Sequence, residues 1–344
     1  MLLIDGSEGE GGGQMLRTSL GLALVTGQPV RIENIRARRA KPGLMRQHLT
    51  AVNAAAAVSG AAVDGAVIGS TQVTLRPGAV RAGEYGFRVG TAGSATLVLQ
   101  TVLPALLLAG GRSSLVLEGG THNPLAPSFD FLDRAFLPLL RRMGAAVTAQ
   151  LDRAGFYPAG GGRFRVEIEP GSPLHGFEIV ERGALVNYGA RAVVAGLSKR
   201  IADRELRVIG TRLGWGRERL HCEVIETAEG QGNVVSIELE SDAVTEVFTG
   251  FGEKGVSAES VAEGVAAEAT QYLDAGVPVG PHLADQLLLP LALAGGGTFR
   301  SLAPSAHART QADVIRRFLG VETRMCAVSD RAWQFEVVRG AVRA

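Results

Sequence analysis

A chain of 344 residues with 46% hydrophobic and 20% charged residues is too long for one small core and too apolar for a disordered polymer, so more than one packed unit is expected. The formal net charge of +1 excludes a global electrostatic pull on polyanions, and a nucleic-acid site would have to rest on local patches. Two distant cysteines, Cys222 and Cys326, lack metal-ligand spacing and argue against a disulfide framework; a reducing cytoplasm fits them.

In chain order, the first ten residues already carry Asp5, Glu8 and Glu10, too polar for a secretory signal. A glycine loop then opens an apolar helix over 13–27 that stops at Gly27 and passes into a strand at 29–35. A basic loop leads to a second helix at 44–59 and a strand at 72–75. The same pattern returns as a helix at 93–111, a strand at 114–118, a helix at 129–143 and a strand at 164–168. It returns again as a helix at 282–297, a strand at 298–302, a helix at 311–319 and a strand at 333–338. The apolar run 97–109 is interrupted by Gln100 and Pro104 and is too short to span a bilayer, so it reads as a buried helix and no membrane partner is expected.

Each recurrence reads as a small α+β module of two helices on one face of a sheet. The spacing is uneven: the extra length near 185–280 has its own strand at 234–239 and helix at 257–273. The expected organisation is a repeat-built domain of 1–184 and 280–344, with repeats at about 1–80, 85–170 and 280–340, interrupted by a small inserted α/β domain at 185–279.

Four stretches could carry chemistry. Asp5-Gly6-Ser7-Glu8-Gly9-Glu10-Gly11-Gly12-Gly13-Gln14 offers free N–H groups and a positive dipole end to phosphate, and its acids make sense if a divalent cation lies between them and the phosphate oxygens. A tight turn with exposed acids fits the spacing equally well, and no Gly-Lys-Ser/Thr follows to make a Walker loop. The stretch from Arg36 to His48 concentrates cations that could grip a phosphate end, although a solvated charged loop also fits. His307, before the last apolar helix, could be a nucleophile, base or ligand, or a plain capping histidine; no second histidine stands at zinc-ligand spacing. His282-Leu283-Ala284-Asp285-Gln286 opens another helix, where Asp285 also suits the dipole. Asn123-Pro124 to Pro127 could be only a turn, and Trp215 and Trp333 are expected to pack.

These blocks, with Gly93-Ser94, Leu97 to Gln100, Gly119-Gly120-Thr121, Gly155-Phe156-Tyr157-Pro158 and Gly252-Glu253-Lys254, stand in an order that resembles the RNA 3'-terminal phosphate cyclase family over nearly the whole chain. The resemblance implies three repeats like the C-terminal domain of a translation initiation factor, plus a smaller inserted α/β domain. It implies a cytoplasmic ligase of RNA processing that uses ATP and a divalent metal, Mg or Mn. Its RNA partner bears a 3'-phosphate, which becomes a 2',3'-cyclic phosphate through enzyme-histidine-AMP and RNA-(3')pp(5')A intermediates.

Position by position, the resemblance makes His307 the nucleophile and Glu10 the metal contact. Gln100, His282, Leu283, Ala284, Asp285 and Gln286 belong to the ATP site, with Pro127 and His282 flanking adenine. Arg17, Arg39 and Gln47 face the nucleotide phosphates or the RNA end. Charge and module geometry add the expectation that Asp285 orients His307. One departure is His282, where a tyrosine is common in the family. The alternative reading is a non-catalytic RNA-binding relative acting in ribosomal RNA processing; such relatives lack the catalytic histidine. An enolpyruvyl transferase shares the repeat architecture but uses more repeats in a longer chain.

Overall fold

The computed structural model describes residues 1–339; the last five residues of the expected 280–344 span lie outside the described residues. The chain begins with β1 (Leu2–Asp5), α1 (Gly13–Thr26), β2 (Val30–Glu33), α2 (Arg46–Ser59), β3 (Ala62–Asp64) and β4 (Val73–Arg76). These strands form one sheet in the order β1-β2-β4-β3, with β1 parallel to β2 and the other pairs antiparallel.

The next stretch repeats that connectivity. It comprises β5 (Glu84–Arg88), α3 (Ala95–Leu107), β6 (Ser113–Gly119), α4 (Phe129–Phe131), a π-helical turn over Leu132–Phe136, α5 (Leu137–Arg142), β7 (Ala146–Arg153) and β8 (Gly162–Glu169). The sheet order is β5-β6-β8-β7. A two-residue strand, β9 (Glu178–Ile179), follows.

The chain then builds a different sheet from β10 (Leu185–Ala195), β11 (Leu220–Ile225), β12 (Gly232–Ser241) and β13 (Thr245–Phe251), in the order β11-β10-β12-β13. Two helices, α6 (Arg200–Leu213) and α7 (Ala258–Ala275), cover one face of it through Ala202, Leu206, Ala262 and Ala266, which pack on Ala190, Ala192, Val235 and Ile237. Finally α8 (Pro281–Leu293), β14 (Gly296–Ser301), α9 (Ala306–Leu319), β15 (Val321–Ala327) and β16 (Trp333–Arg339) complete a fourth sheet, β15-β16-β14-β9.

The α+β class expected from the sequence is the class observed. The last sheet draws on residues 178–179 as well as on the expected 280–340, because β9 runs parallel to β14. Two residues are too few to show strand alternation, so this strand leaves no periodic signal in the sequence. Among the described residues, no helix is long and apolar enough to cross a membrane.

Helices α1, α2, α3, α8 and α9 meet in one apolar core containing Leu16, Leu20, Val98, Val102, Leu283, Leu287 and Ile315. Fully burying each large apolar side chain contributes roughly 1.5–3 kcal/mol. The approach of α1 to α3 requires Gly21, where an added Cβ would sit 3.0 Å from the Thr101 carbonyl oxygen. This packing brings the N-terminal ends of α1, α8 and α9 around a shared cavity.

Candidate active site

The cavity has a volume of about 640 Å³. Its wall is assembled from the loop before α1, the basic loop, α3, the 124–127 turn, β13 and the starts of α8 and α9. Glu10, Arg17, Arg39, Gln47, Gln100, Pro127, His282, Asp285, Gln286 and His307 all line it. The other two expected residues, Leu283 and Ala284, turn away from the cavity and are buried in the core. A helix presents only part of each turn to one side, so a contiguous sequence block cannot line a cavity throughout.

His307 lies inside the last helix rather than in the loop before it, where it was expected. The last helix starts at Ala306 because Ser305 caps it, its Oγ accepting the Ala308 N–H at 2.9 Å. His307 therefore occupies the first turn of α9, at the positive end of the helix. Its Nδ1 lies 2.7 Å from Gln14 Oε1, and Gln14 Nε2 donates in turn to Gln311 Oε1 at 2.6 Å. An amide oxygen can only accept, so Nδ1 carries the proton and Nε2 keeps its lone pair. Burial lowers the imidazole pKa; nearby Glu10 opposes that shift, while Arg17 and Arg39 reinforce it. A half-buried, neutral imidazole with one nitrogen tied down and the other free has the form of a nucleophile.

The expectation that Asp285 orients His307 is not what the geometry shows. Asp285 Oδ1 accepts from Ser305 Oγ at 2.7 Å, and Gln14 makes the contact to the ring. Asp285 acts on His307 only through the cap that starts α9. Burial pushes the Asp285 carboxyl up to about 7, with the Ser305 hydrogen bond opposing the shift.

Around the imidazole lie an acid and several cations. The Glu10 carboxylate is almost fully enclosed, 2.8 Å from Arg39 Nη2 and 4.0 Å from His307 Nδ1. Its backbone N–H donates to Thr310 Oγ1 at 3.0 Å, which ties the glycine loop to α9. Arg17 makes no side-chain hydrogen bond with another described residue; burial lowers it to about 10 against the pull of Glu10, and it stays a cation at neutral pH. Beside it, His48 Nδ1 accepts the Met45 N–H at 3.2 Å, so its Nε2 bears the proton. Burial and the neighbouring Arg17 and Arg36 push His48 down to about 3, which keeps it neutral. Both side chains converge on Gly13, where an added Cβ would lie 2.5 Å from His48 Nε2 and 2.8 Å from Arg17 Nη1.

The basic loop is partly occupied with its own structure. Arg36 donates to the Lys41 and Gly43 carbonyls, Arg38 donates to the Gly9 carbonyl, and Arg39 holds Glu10. On the far wall, Gln100 Nε2 donates to Gln286 Oε1 at 2.5 Å, and Gln47 Oε1 accepts from the Ser94 N–H at 2.8 Å. Pro127 is fixed by its carbonyl, which accepts from Thr96 Oγ1 at 2.8 Å. The His282 side chain is 67% exposed at the cavity mouth.

Gln14, His48, Ser305 and Gln311 were not singled out as site residues by sequence reasoning. All four lie within the stretches that carry those motifs, and their roles come from the contacts they make in the fold. Thr249 and Phe251 of β13 also line the cavity, and nothing in the sequence marks them.

For a metal, the described residues contain no group of three or more His, Cys, Asp or Glu side chains that could hold an ion. Glu10 is the carboxylate 4.0 Å from His307 Nδ1, and it is already paired with Arg39. Such a donor set fits a cation that takes one carboxylate and draws its other ligands from phosphate oxygens and water, as Mg²⁺ commonly does.

Fold and site together define an α+β protein with a cation-lined cavity arranged around a neutral, partly buried histidine. The family model described as RNA 3'-terminal phosphate cyclase matches residues 8–325. The chain is 53% identical to the RNA 3'-terminal phosphate cyclase of Koribacter versatilis, over 93% of this chain and 90% of that one. It is 50% identical to that of Pseudomonas fluorescens, over 95% of both chains, and 47% identical to that of Salmonella typhimurium, over 93% and 94%. Among solved structures, the enolpyruvyl transferase NikO from Streptomyces tendae aligns with 99% of this chain and 48% of its own at a TM-score of 0.40 and 14% identity, too loose a likeness to bear on the fold. The chain belongs to the RNA 3'-terminal phosphate cyclase family.

Proposed function

We propose that this chain uses ATP to convert an RNA 3'-terminal phosphate into a 2',3'-cyclic phosphate, with His307 as the adenylylated residue. The observation that carries this reading is the hydrogen bond from His307 Nδ1–H to Gln14 Oε1, which leaves Nε2 without a hydrogen-bond partner among the described residues in a cavity that Arg17 also lines. Nε2 attacks the α-phosphorus of ATP, the bond to the β-phosphate oxygen breaks, and pyrophosphate leaves. An oxygen of the RNA 3'-phosphate then attacks the same phosphorus and breaks the P–N bond, giving RNA-(3')pp(5')A. The adjacent 2'-oxygen closes on the 3'-phosphorus, losing its proton, and AMP departs.

A phosphate monoester is a poor electrophile because its oxygen is a poor leaving group, and adenylylation makes that oxygen the bridge of an anhydride, so that it departs as part of AMP. Holding the 2'-hydroxyl beside the phosphorus can supply an effective molarity of ~10⁵ M or more. Arg17, Arg39 and the His48 Nε2–H supply fixed positive ends for the charge that develops on phosphoryl oxygens. Glu10 would hold a divalent metal, Mg or Mn, that neutralises the phosphates when bound. Pro127 and His282 would bracket the adenine at the mouth, with the Gln100–Gln286 pair beside them. We read residues 185–279 as an inserted domain, the three remaining sheets as initiation-factor-like repeats, and the protein as a cytoplasmic ligase.

The test incubates the protein with a divalent metal and ATP labelled at the α-phosphate, without RNA. Acid-labile, alkali-stable label on the wild type and none on His307→Ala is the expected result. A folded wild type that binds ATP and takes no label overturns the mechanism and favours the non-catalytic RNA-binding reading.

A further inference from the structure

Two ionisable side chains of the β10–β13 sheet reach the two segments that wall the mouth of the catalytic cavity. Arg191 alternates along β10 with Ala190 and Ala192, which pack under α6 and α7, so it leaves the sheet on the opposite face. There its Nη2 donates to both oxygens of Asp130 at 2.7 Å. Asp130 Oδ2 lies 3.1 Å from His122 Nε2, and His122 Nδ1 lies 2.8 Å from Thr121 Oγ1. Facing a carboxylate, Nε2 carries the ring proton, so Nδ1 accepts from the Thr121 hydroxyl. Burial works to raise the Asp130 carboxyl, but His122 and Arg191 outweigh it and hold it down at about 2, ionised. The Phe129 N–H also donates to the Thr121 carbonyl at 2.9 Å. The base of the 122–130 loop is therefore closed twice, and its crown is the 124–127 turn that lines the cavity. Leu125, at the tip, is 97% exposed, so the tip adds no packing and the turn relies on the anchors at its ends.

The other wall starts at α8. Glu246 shares the helix-covered face of β13 with Phe248 and is 2% exposed. Its Oε1 accepts the N–H of Gly280, the residue that caps α8, at 2.5 Å. An added Cβ at Gly280 would sit 3.0 Å from that carboxyl, so the close approach requires glycine. Tyr272 of α7 donates its hydroxyl to the Pro278 carbonyl at 3.0 Å and fixes the same entry to α8. His282 follows within the first turn. Burial pushes Glu246 up to about 8 against the Gly280 and Val247 N–H groups, so at neutral pH it is mostly the neutral acid.

The sheet fixes the distance between these anchors. Its register runs from Arg191 through Ser236 to Thr249, and from Tyr188 through Leu239 to Glu246. Arg191 and Glu246 thus stand two strand spacings of ~4.8 Å apart, joined by the ladder through β12. We propose that the β10–β13 sheet sets the width of the adenine slot, holding the Pro127 wall through Arg191 and Asp130 and the His282 wall through Glu246. The inference rests on the reading that Pro127 and His282 bracket adenine. Arg191 and Glu246 are positioning residues and touch no part of the nucleotide.

The experiment uses the full chain and compares ATP with inorganic tripolyphosphate, which has the phosphates and no base, by calorimetry in magnesium buffer. Arg191→Met should weaken ATP by about tenfold, the scale of one lost base contact, and leave tripolyphosphate affinity unchanged. Glu246→Met should do the same, while Glu246→Gln, whose amide oxygen still accepts from Gly280, should bind ATP as the wild type does. Melting curves confirm that each variant is folded; if Glu246→Met is not, Arg191→Met, at a half-exposed side chain, decides alone. Unaltered ATP affinity in Arg191→Met overturns the proposal. So does an equal loss for ATP and tripolyphosphate, which a general loosening of the fold would produce, or a Glu246→Gln as weak as Glu246→Met. A wild type that binds ATP no more tightly than tripolyphosphate overturns the slot even where label still reaches His307. ATP that binds the wild type as described but never labels it sinks the proposed reaction and leaves the slot assignment standing.

Discussion

Replacing Gln14 with alanine tests the claim that His307 is a neutral, oriented nucleophile. Gln14 is 8% exposed and bridges Gln311 and His307 with hydrogen bonds of 2.6 and 2.7 Å. Gln14→Ala leaves the Nδ1–H without its acceptor, with the Glu10 carboxylate 4.0 Å away as the next acceptor. An unmet hydrogen bond in a partly buried site costs roughly 1–3 kcal/mol. If the loss falls on the transition state, histidine adenylylation slows by about 10- to 100-fold. A ring that swings toward Glu10 also gains a charged partner, which favours the imidazolium.

In the wild type the imidazole pKa lies below its ordinary value, so the attacking neutral form persists as pH falls toward that lowered pKa. In Gln14→Ala the acid limb of the rate profile should move to higher pH. Single-turnover transfer of label from the α-phosphate, followed from pH 5 to 8, measures both effects (these limits bracket histidine titration at ~6.5). An unchanged rate constant together with an unmoved acid limb would refute the orienting role of Gln14.

Two further outcomes follow from the same geometry. Gly13→Ala places a Cβ against Arg17 Nη1 and His48 Nε2, and should weaken ATP binding by about tenfold although alanine favours a helix by ~1 kcal/mol; unaltered affinity by calorimetry would show that neither side chain meets the nucleotide. Asp285 holds its proton more tightly folded than unfolded, because its folded pKa is about 7 against an ordinary 3.8. Its neutral form costs nothing below the unfolded value, and stability is lost as pH rises from about 4 through 7, approaching roughly 4 kcal/mol at full ionisation. Asp285→Asn should remove that part of the slope in urea titrations at pH 5 and 7.5; an identical slope in both proteins would mean that Asp285 ionises without penalty.

Helix α1 was legible because its apolar run ends at Gly27, which caps it in the left-handed conformation; α3 and α8, expected to run on to Gly111 and Gly297, end earlier at Leu107 and Leu293. Boundaries were less legible. The helix expected at 311–319 starts at Ala306, since the cap depends on the Ser305 hydroxyl rather than on hydrophobic periodicity. In the site, charged and aromatic-stacking candidates stood out by residue type. Neutral partners such as Gln14 and Gln311 did not, because an amide has no functional signature until its neighbour is known.

The sequence by itself determined the α+β class, the recurring helix-to-strand pattern and the ordered motifs that place the chain in its family. Those features are local or depend only on order along the chain. Tertiary structure alone decided which of the motif residues meet. Gln14 and His307 are 293 positions apart and touch only because α1 packs against α9. It likewise turned Leu283 and Ala284 inward, gave the imidazole to Gln14 rather than Asp285, and set β13 against the cavity. Hydrogen-bond direction and burial depend on distances between distant segments, and spacing along a chain does not contain those distances.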